Sequence, residues 1–142
     1  AAYAAAPKVA EAASAPLTDT LDCLVVGMDE ANGNVLLACL NKHSGTFNTI
    51  GFVPFGDAAI NRLRMAKYIR ARGVPFCKIG NSVSITRAYT RLEHCHVVEV
   101  TASRLIESSA HTCEQLELSG DARIVRLRDD KSWNDATTTS FA

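Results

Sequence analysis

The sequence predicts a mainly β domain that contains one helix, and three observations lead to this expectation. Short apolar segments recur along the 142-residue chain and are separated by turn residues. One segment in the middle changes to the three- and four-residue spacing of an amphipathic helix. The hydrophobic content of 47% and the charged content of 21% are typical of a single globular domain.

The first three strands are predicted to form a meander. "LDCLVVG" and "NVLLACLN" are apolar segments, and "TFNTIGFVPF" is a third. Between the first two, Asn32-Gly33 is a strong hairpin signal, because both central positions of a type I′ turn need positive φ. Residues 1–18 are rich in Ala and contain two prolines, so we expect a linker or tail there and the domain at residues 19–142.

A helix is predicted at residues 57–72. Its apolar residues recur at three- and four-residue steps, with basic residues between them. Asp57 suits the N-terminal end, and Gly73 followed by Pro75 suits the C-terminal end. The apolar residues are Ala59, Ile60, Leu63, Ala66 and Ile69.

Further extended segments are predicted after the helix, at "PFCKIG", "SVSITRAY", "HVVEVTASRL", "EQLEL" and "ARIVRLR". Three strands, one helix and then further strands is the element order of the OB-fold, a five-stranded Greek-key barrel with a helix after the third strand. Other small α+β folds share this order of elements.

The formal net charge is zero, yet the charges are unevenly distributed along the chain. Residues 61–91 contain eight basic residues and no acidic one. Such a block is typical of a surface that binds a polyanion, although a scattered solubilising surface would have the same composition. The predicted nucleic-acid-binding residues are Arg62, Arg64, Lys67, Arg70, Arg72, Lys78, Arg87 and Arg91.

The five cysteines are odd in number and show no Cys-x-x-Cys spacing. This pattern argues against a disulfide framework or a zinc ribbon, and it favours free thiols in a reducing, intracellular compartment. In His94-Cys95-His96, Cys95 would face away from both histidines on a strand, so no metal site is expected. No apolar segment approaches the roughly 20 residues of a membrane span, so no membrane partner is expected.

Three segments resemble the C-terminal OB domain of ATP-dependent DNA ligases, within the nucleotidyltransferase superfamily that includes RNA capping enzymes. The first two are "TDTLDCLVVGMDEANGNVLLACLNKHSGTFNTIG" and "HVVEVTASRLIESSAHT". The third, "RIVRLRDDKSWNDATT", is the most specific, with arginines spaced three and two apart, an acidic pair, Lys, and then Ala-Thr. The resemblance covers about residues 18–138, and "SSAHT" and "RLRDDKSWNDAT" are closest to the eukaryotic type similar to DNA ligase III.

The resemblance implies a role in the first step of ligation, in which ATP adenylates a lysine and pyrophosphate leaves. Arginine and lysine side chains stabilise the charge that develops on such a leaving group. The implied catalytic residues are Arg126, Arg128, Asp130 and Lys131, which would act on an adenylation domain in cis or in trans. On a regular strand, Arg126 and Arg128 share one face and Arg123 points to the other.

The resemblance also implies partners, cofactors and a compartment. Nicked duplex DNA would be bound through the phosphates, without sequence readout, by the basic residues of the 61–91 block. ATP and Mg²⁺ would be used together with the adenylation domain. A member of this family would work in the nucleus or the mitochondrion.

Two departures from the family pattern limit what the chain can do by itself. Ligases usually carry Arg-Phe-Pro-Arg before the final arginines, and this chain has "GDAR" at residues 120–123. It also contains no Lys-x-Asp-Gly, the adenylated-lysine motif, so the chain alone is expected to be inactive as a ligase. The alternative hypothesis is therefore a non-catalytic, ligase-derived OB domain that serves as a nucleic-acid-binding or scaffold subunit of a nucleoprotein assembly.

Overall fold

The protein is described by a computed structural model. It describes residues 16–17, 19–41, 45–54, 69–70, 76–80, 83, 85–89, 91–111 and 116–135, with the backbone alone at residues 69–70. No helix in these ranges is long and apolar enough to cross a membrane.

Within the described ranges, ten strands account for most of the regular structure, which confirms the mainly β prediction. The same ranges contain two 3₁₀ helices, at Leu92–His94 and Trp133–Asp135. The strands are β1 (Leu21–Asp29), β2 (Asn34–Leu40), β3 (Phe47–Pro54), β4 (Ile69–Arg70), β5 (Cys77–Lys78), β6 (Arg87–Ala88), β7 (Val97–Thr101), β8 (Leu105–Glu107), β9 (Leu116–Leu118) and β10 (Arg123–Leu127).

The predicted meander is confirmed, because β1, β2 and β3 pair antiparallel in sequence order. The hairpin between β1 and β2 differs in its turn. The N–H of Gly33 donates to the carbonyl oxygen of Glu30 at 3.2 Å, and Gly33 has φ +71°. A four-residue loop therefore joins Asp29 to Asn34, so the prediction of a two-residue type I′ turn was wrong.

The strands form one open, mixed sheet in the order β10-β7-β1-β2-β3-β5, to which β6 and β4 are added beside β1. β3 and β5 run parallel, and the other pairs in this sheet are antiparallel. β8 and β9 form a separate two-stranded sheet. Hydrogen bonding among these strands does not close a barrel, so the OB-fold itself remains a prediction.

Most of the predicted helix at residues 57–72 lies outside the described residues. Ile69 and Arg70 are described, and they form strand β4, which pairs with Ala88 and Arg87 of β6. The helix prediction is therefore wrong at these two residues. Cross-strand pairing outweighs the helical spacing there, and β-branched Ile suits an extended backbone.

Both faces of the meander are buried, which explains why β2 is an unbroken apolar segment. Val25 and Leu37 belong to one hydrophobic cluster, and Leu24 and Leu36 belong to a second cluster. Successive residues of a strand point to opposite faces, so the two clusters lie on opposite sides of the sheet. The second cluster includes Cys77 of β5 and Ala88 of β6.

Gly27 allows β6 to approach β1 closely. A Cβ atom at this position would lie 2.8 Å from the carbonyl oxygen of Arg87. At the same place the pairing register of β1 against β2 shifts, between Val25 and Gly27. One edge of β1 pairs with β7 before this irregularity and with β6 after it.

Two residues from the predicted 1–18 linker contact the sheet region. Pro16 forms an isolated antiparallel bridge with Arg104, and the N–H of Leu17 donates to the carbonyl oxygen of Ser103 at 2.9 Å. Leu17 is partly buried against the first hydrophobic cluster.

Candidate functional site

A bulge in β10 decides where its arginines point. Arg123 lies opposite Thr101, and Arg126 lies opposite Glu99, with the register shifting between Ile124 and Arg126. Thr101 and Glu99 are two residues apart on β7 and share one face, so Arg123 and Arg126 share that face as well. The expectation that Arg123 points to the other face was wrong. The bulge adds one residue, Val125, between the two arginines, and this residue keeps them on the same face although they are three positions apart.

The same face continues over three strands as a row of charged side chains. Asp22 of β1 lies opposite Glu99 of β7, and Glu99 lies opposite Arg126 of β10. Arg128 comes directly after the strand, two residues after Arg126, and its backbone N–H donates to the carbonyl oxygen of Val97 at 2.8 Å. We call Asp22, Glu99, Arg126, Arg128, Asp130 and Lys131 the charged network.

Arg126 is the most exposed cation of the charged network. Its Nε donates to Oε1 of Glu99 at 2.7 Å, and Oγ1 of Thr20 donates to Oε2 of the same carboxylate at 2.7 Å. These two hydrogen bonds, with that of Arg126 the larger effect, lower the pKa of Glu99. The side chain of Arg126 remains 58% exposed.

Arg128 is enclosed by two carboxylates. Nε and Nη2 donate to the two oxygens of Asp130 at 3.0 and 2.9 Å, which is a bidentate pair. Nη1 donates to Oδ1 of Asp22 at 3.2 Å. The hydrogen bonds that Arg128 donates to Asp130 raise the pKa of Arg128, and they lower the pKa of Asp130 to about 2. The Arg128 side chain is only 15% exposed.

Lys131 completes the charged network. Its Nζ lies 3.3 Å from Oδ2 of Asp22, and its side chain is 29% exposed. The backbone N–H of Lys131 donates to the carbonyl oxygen of Arg128 at 3.2 Å, so the chain turns back after β10. Asp22 therefore holds both Arg128 and Lys131.

Sequence reasoning missed two members of the charged network. We call residues 126–131 the signature. Asp22 and Glu99 lie about a hundred and about thirty residues before it, and strand pairing brings them to it. One signal was available: each is a single carboxylate within an apolar segment, "LDCLVV" and "VVEV". A half-buried strand position of this kind needs a charged partner.

The "GDAR" segment forms the turn between β9 and β10. Oδ1 of Asp121 accepts hydrogen bonds from the N–H of Ser103 at 3.2 Å, from Oγ of Ser103 at 3.1 Å and from Oγ of Ser119 at 2.5 Å. These bonds, that of Ser119 first, lower the pKa of Asp121. Ala122 is buried in the first hydrophobic cluster. Asp121 thus joins this turn to the loop before β8.

Of the eight basic residues predicted to bind nucleic acid, three have described side chains. Arg87 Nε lies 3.0 Å from Oε1 of Glu30, and Arg91 Nε lies 3.8 Å from Oε2 of Glu93. Lys78 is exposed on β5, at the opposite end of the sheet order from β10. Arg62, Arg64, Lys67 and Arg72 lie outside the described residues, and only the backbone of Arg70 is described.

A divalent cation does not fit the charged network. Asp22, Glu99 and Asp130 each accept from an arginine or lysine, so their oxygens are already neutralised. Over the described ranges, no three His, Cys, Asp or Glu side chains are grouped to hold a metal ion. His94 ends a 3₁₀ helix and Cys95 follows it, so the strand assumed for His94-Cys95-His96 was wrong.

No protein-family model matches the chain. DNA ligases from Saccharolobus shibatae and Saccharolobus solfataricus are 28% and 29% identical to it, in alignments of 139 residues that cover 87% of this chain. The DNA ligase of Saccharolobus islandicus strain L.S.2.15 is similarly 28% identical. The chain spans 23% of the length of these relatives. This similarity supports a domain derived from a DNA ligase. It does not show that the domain is of the eukaryotic ligase type.

Proposed function

We propose that this chain is the OB-type module of an ATP-dependent DNA ligase. It binds duplex DNA at a nick, and it supplies Arg126, Arg128, Asp130 and Lys131 to orient pyrophosphate while the lysine of an adenylation domain is adenylated. One observation carries the proposal: all three cations of the signature lie on one face at the end of the sheet, held by carboxylates. The similarity to DNA ligases over 87% of the chain supports it.

The chemistry of adenylation explains why cations are needed. The lysine nitrogen of the adenylation domain bonds to the α-phosphorus of ATP, and the bond from that phosphorus to the bridging oxygen breaks. Pyrophosphate leaves with the electron pair, so negative charge accumulates on it. Arginine and lysine donors fixed in advance stabilise this charge without reorganisation during the reaction. ATP and Mg²⁺ would be held with the adenylation domain.

A second function, a non-catalytic nucleic-acid-binding or scaffold module, is favoured by the "GDAR" turn. Asp121 stands where the ligase pattern has an aromatic residue beside its first arginine, and it is used to join the turn to the loop before β8. The segment has therefore kept a structural role without the first arginine of the pattern.

The reducing, intracellular compartment and the nucleus or mitochondrion remain predictions. No disulfide joins the described cysteines, Cys23, Cys39, Cys77 and Cys95. Sγ of Cys23 and Sγ of Cys39 lie 3.8 Å apart in the core, a pair that a reducing compartment would keep unbonded.

The ligase hypothesis predicts that signature variants fail in one step of ligation only. In the chain joined to a competent adenylation domain, Lys131→Ala or Arg126→Ala should slow formation of the enzyme–adenylate by about 10²–10³, the usual effect of losing one charge-stabilising donor. Sealing of a nick that is already adenylated should be nearly normal, because no pyrophosphate leaves in that step. Both rates are measured side by side.

Arg104→Ala is the matched control, because it removes an exposed arginine that is not a member of the charged network. It should leave both steps unchanged. If Lys131→Ala lowers both steps equally, the residue stabilises the fold and the pyrophosphate role is wrong. If it lowers neither step, the scaffold function is favoured.

The DNA-binding part of the proposal predicts a change in salt dependence. Each phosphate contact contributes about 0.9 to the slope of log affinity against log salt. Lys78→Ala combined with Arg91→Ala should reduce that slope by up to about 2, equally for different duplex sequences. An unchanged slope would mean that these residues form only a solvated surface, and Arg104→Ala again provides the control.

A further inference from the structure

We infer that Asp22 is a positioning residue for polyphosphate binding. It fixes Lys131 and Arg128 relative to each other, so that Lys131 and Arg126 contact the phosphate oxygens and Arg128 acts through its neighbours. This inference rests on the proposed function and assigns different roles within the signature. It follows from the exposure and the donor geometry of the three cations.

Arg128 has little capacity left for a ligand. A guanidinium has five N–H donors, and the described contacts use one on each of its three nitrogens, to carboxylate oxygens of Asp130 or Asp22. The side chain is also the least exposed of the three cations, at 15%. The two other N–H groups, on Nη1 and Nη2, lie beside the carboxylates of Asp22 and Asp130, so a phosphate that approaches them meets negative charge, and the bidentate pair with Asp130 is among the strongest side-chain hydrogen bonds.

Lys131 and Arg126 are arranged differently. An ammonium has three donors, and the described contact of Lys131 uses one, to Oδ2 of Asp22. The described contact of Arg126 uses Nε, to Glu99, and its side chain is more than half exposed. Both cations therefore combine one anchoring contact with donors that remain for phosphate oxygens.

Asp22 is the residue that links the enclosed cation to the accessible one. Its two oxygens face Nη1 of Arg128 and Nζ of Lys131 at 3.2 and 3.3 Å. It belongs to β1, which is paired on both edges, whereas Lys131 lies in the segment after β10. Asp22 thus anchors the mobile stem of a lysine to the centre of the sheet.

Replacing Asp22 distinguishes positioning from charge because the two effects have opposite signs. Removing a negative charge about 6 Å from a bound phosphate would strengthen binding about threefold in water, and less in salt. Losing the ordering of a lysine side chain weakens binding by up to about tenfold. If Asp22 positions Lys131, the second effect is larger and the variant binds more weakly despite its greater positive charge.

The test is an NMR titration of the 142-residue chain with inorganic tripolyphosphate. In the unchanged chain, tripolyphosphate should shift the Nε–H signal of Arg126 and the backbone signal of Lys131, and leave the Nε–H signal of Arg128 nearly unshifted. Asp22→Asn should weaken binding about threefold, and Asp22→Glu, which keeps a carboxylate, should restore most of the affinity. Asp29→Asn makes the same change of net charge at the far end of β1 and should leave the affinity unchanged.

Arg128→Lys provides a second, independent variant. It keeps the charge and loses the bidentate geometry, so it should also weaken binding, whereas a purely electrostatic role predicts no change. Tighter binding by Asp22→Asn, with the backbone spectrum of the sheet preserved, would overturn the inference and leave the proposed function intact. Failure of the unchanged chain to bind tripolyphosphate would overturn both.

Discussion

Strands β2 and β10 belong to the same sheet, yet they are built for different purposes. β2 has paired neighbours on both edges, and all five of its inner residues are buried. β10 lies at one end of the sheet order with one paired neighbour, and none of its five residues is buried. The comparison shows how one sheet separates the residues that stabilise the fold from those that are available for chemistry.

The two sequences account for the difference. "VLLACL" in β2 has no polar residue, because both faces of the strand are covered by hydrophobic clusters. "RIVRL" in β10 has two partly buried apolar residues, Ile124 and Leu127, which pack against the first cluster. Its other residues are exposed, so backbone pairing with β7 and the charged network hold this strand in place.

The largest expected effect is on stability, and it should appear in β2 alone. Leu37 is 0% exposed, so Leu37→Ala should lower the free energy of unfolding by about 2–5 kcal/mol, through lost burial and a residual cavity. Val125 of β10 is 44% exposed, and Val125→Ala should change the free energy of unfolding by less than about 0.5 kcal/mol. Urea unfolding of both variants measures the contrast.

Leu36→Ala sharpens the comparison, because Leu36 is buried on the opposite face from Leu37. Equal losses for the two leucines would agree with a strand covered on both sides. A loss below about 1 kcal/mol for Leu36→Ala would contradict the second cluster, because a fully buried leucine costs more than that.

A smaller effect concerns the acid sensitivity of the two regions. His111 is buried beside β3, with Nδ1 hydrogen-bonded to Oγ1 of Thr49 at 3.0 Å. Burial lowers the pKa of His111, an effect that Glu117 partly opposes. The unfolded chain therefore binds a proton more readily than the folded chain, and the stability contributed by neutral His111 is lost as pH falls below about 6.5.

The carboxylates beside β10 should affect the stability of the fold at lower pH than His111 does. Asp130 has a pKa of about 2, and the pKa of Glu99 is also lowered, so their contribution is present above about pH 4 and is lost as pH falls towards 2. Unfolding measured from pH 8 to pH 2 should show two separate declines. His111→Gln should remove the first and Asp130→Asn should reduce the second, while His94→Gln, an exposed histidine, should alter neither. A single decline that neither variant changes would contradict this assignment.

The positions of most strands along the chain were predictable because their signals are local. Apolar segments, the Asn32-Gly33 turn and the arginine spacing can all be seen within a few residues. The two-residue turn was wrong because the paired strands end at Asp29 and Asn34, which leaves four residues between them. The last residues of the predicted helix were wrong because pairing with β6 decides their conformation.

The candidate site was predictable only in part. The signature cations were identified through the resemblance of their segment to DNA ligases, and the structure brings all three into the charged network. Asp22 and Glu99 were missed because their partnership depends on long-range pairing of β1, β7 and β10. Arg123 was placed on the wrong face because alternation by twos cannot anticipate a bulge.

The extra residue in β10 also determines how this strand tolerates changes in length. Deleting Val125 would remove the bulge and leave Arg123 and Arg126 two residues apart, still opposite Thr101 and Glu99 on one face of a regular strand. Deleting a residue between Arg126 and Arg128, where the register has no bulge, would instead turn these two arginines to opposite faces. Related chains can therefore space the first two arginines by two or by three residues, and alignments should allow a single gap there but none between Arg126 and Arg128.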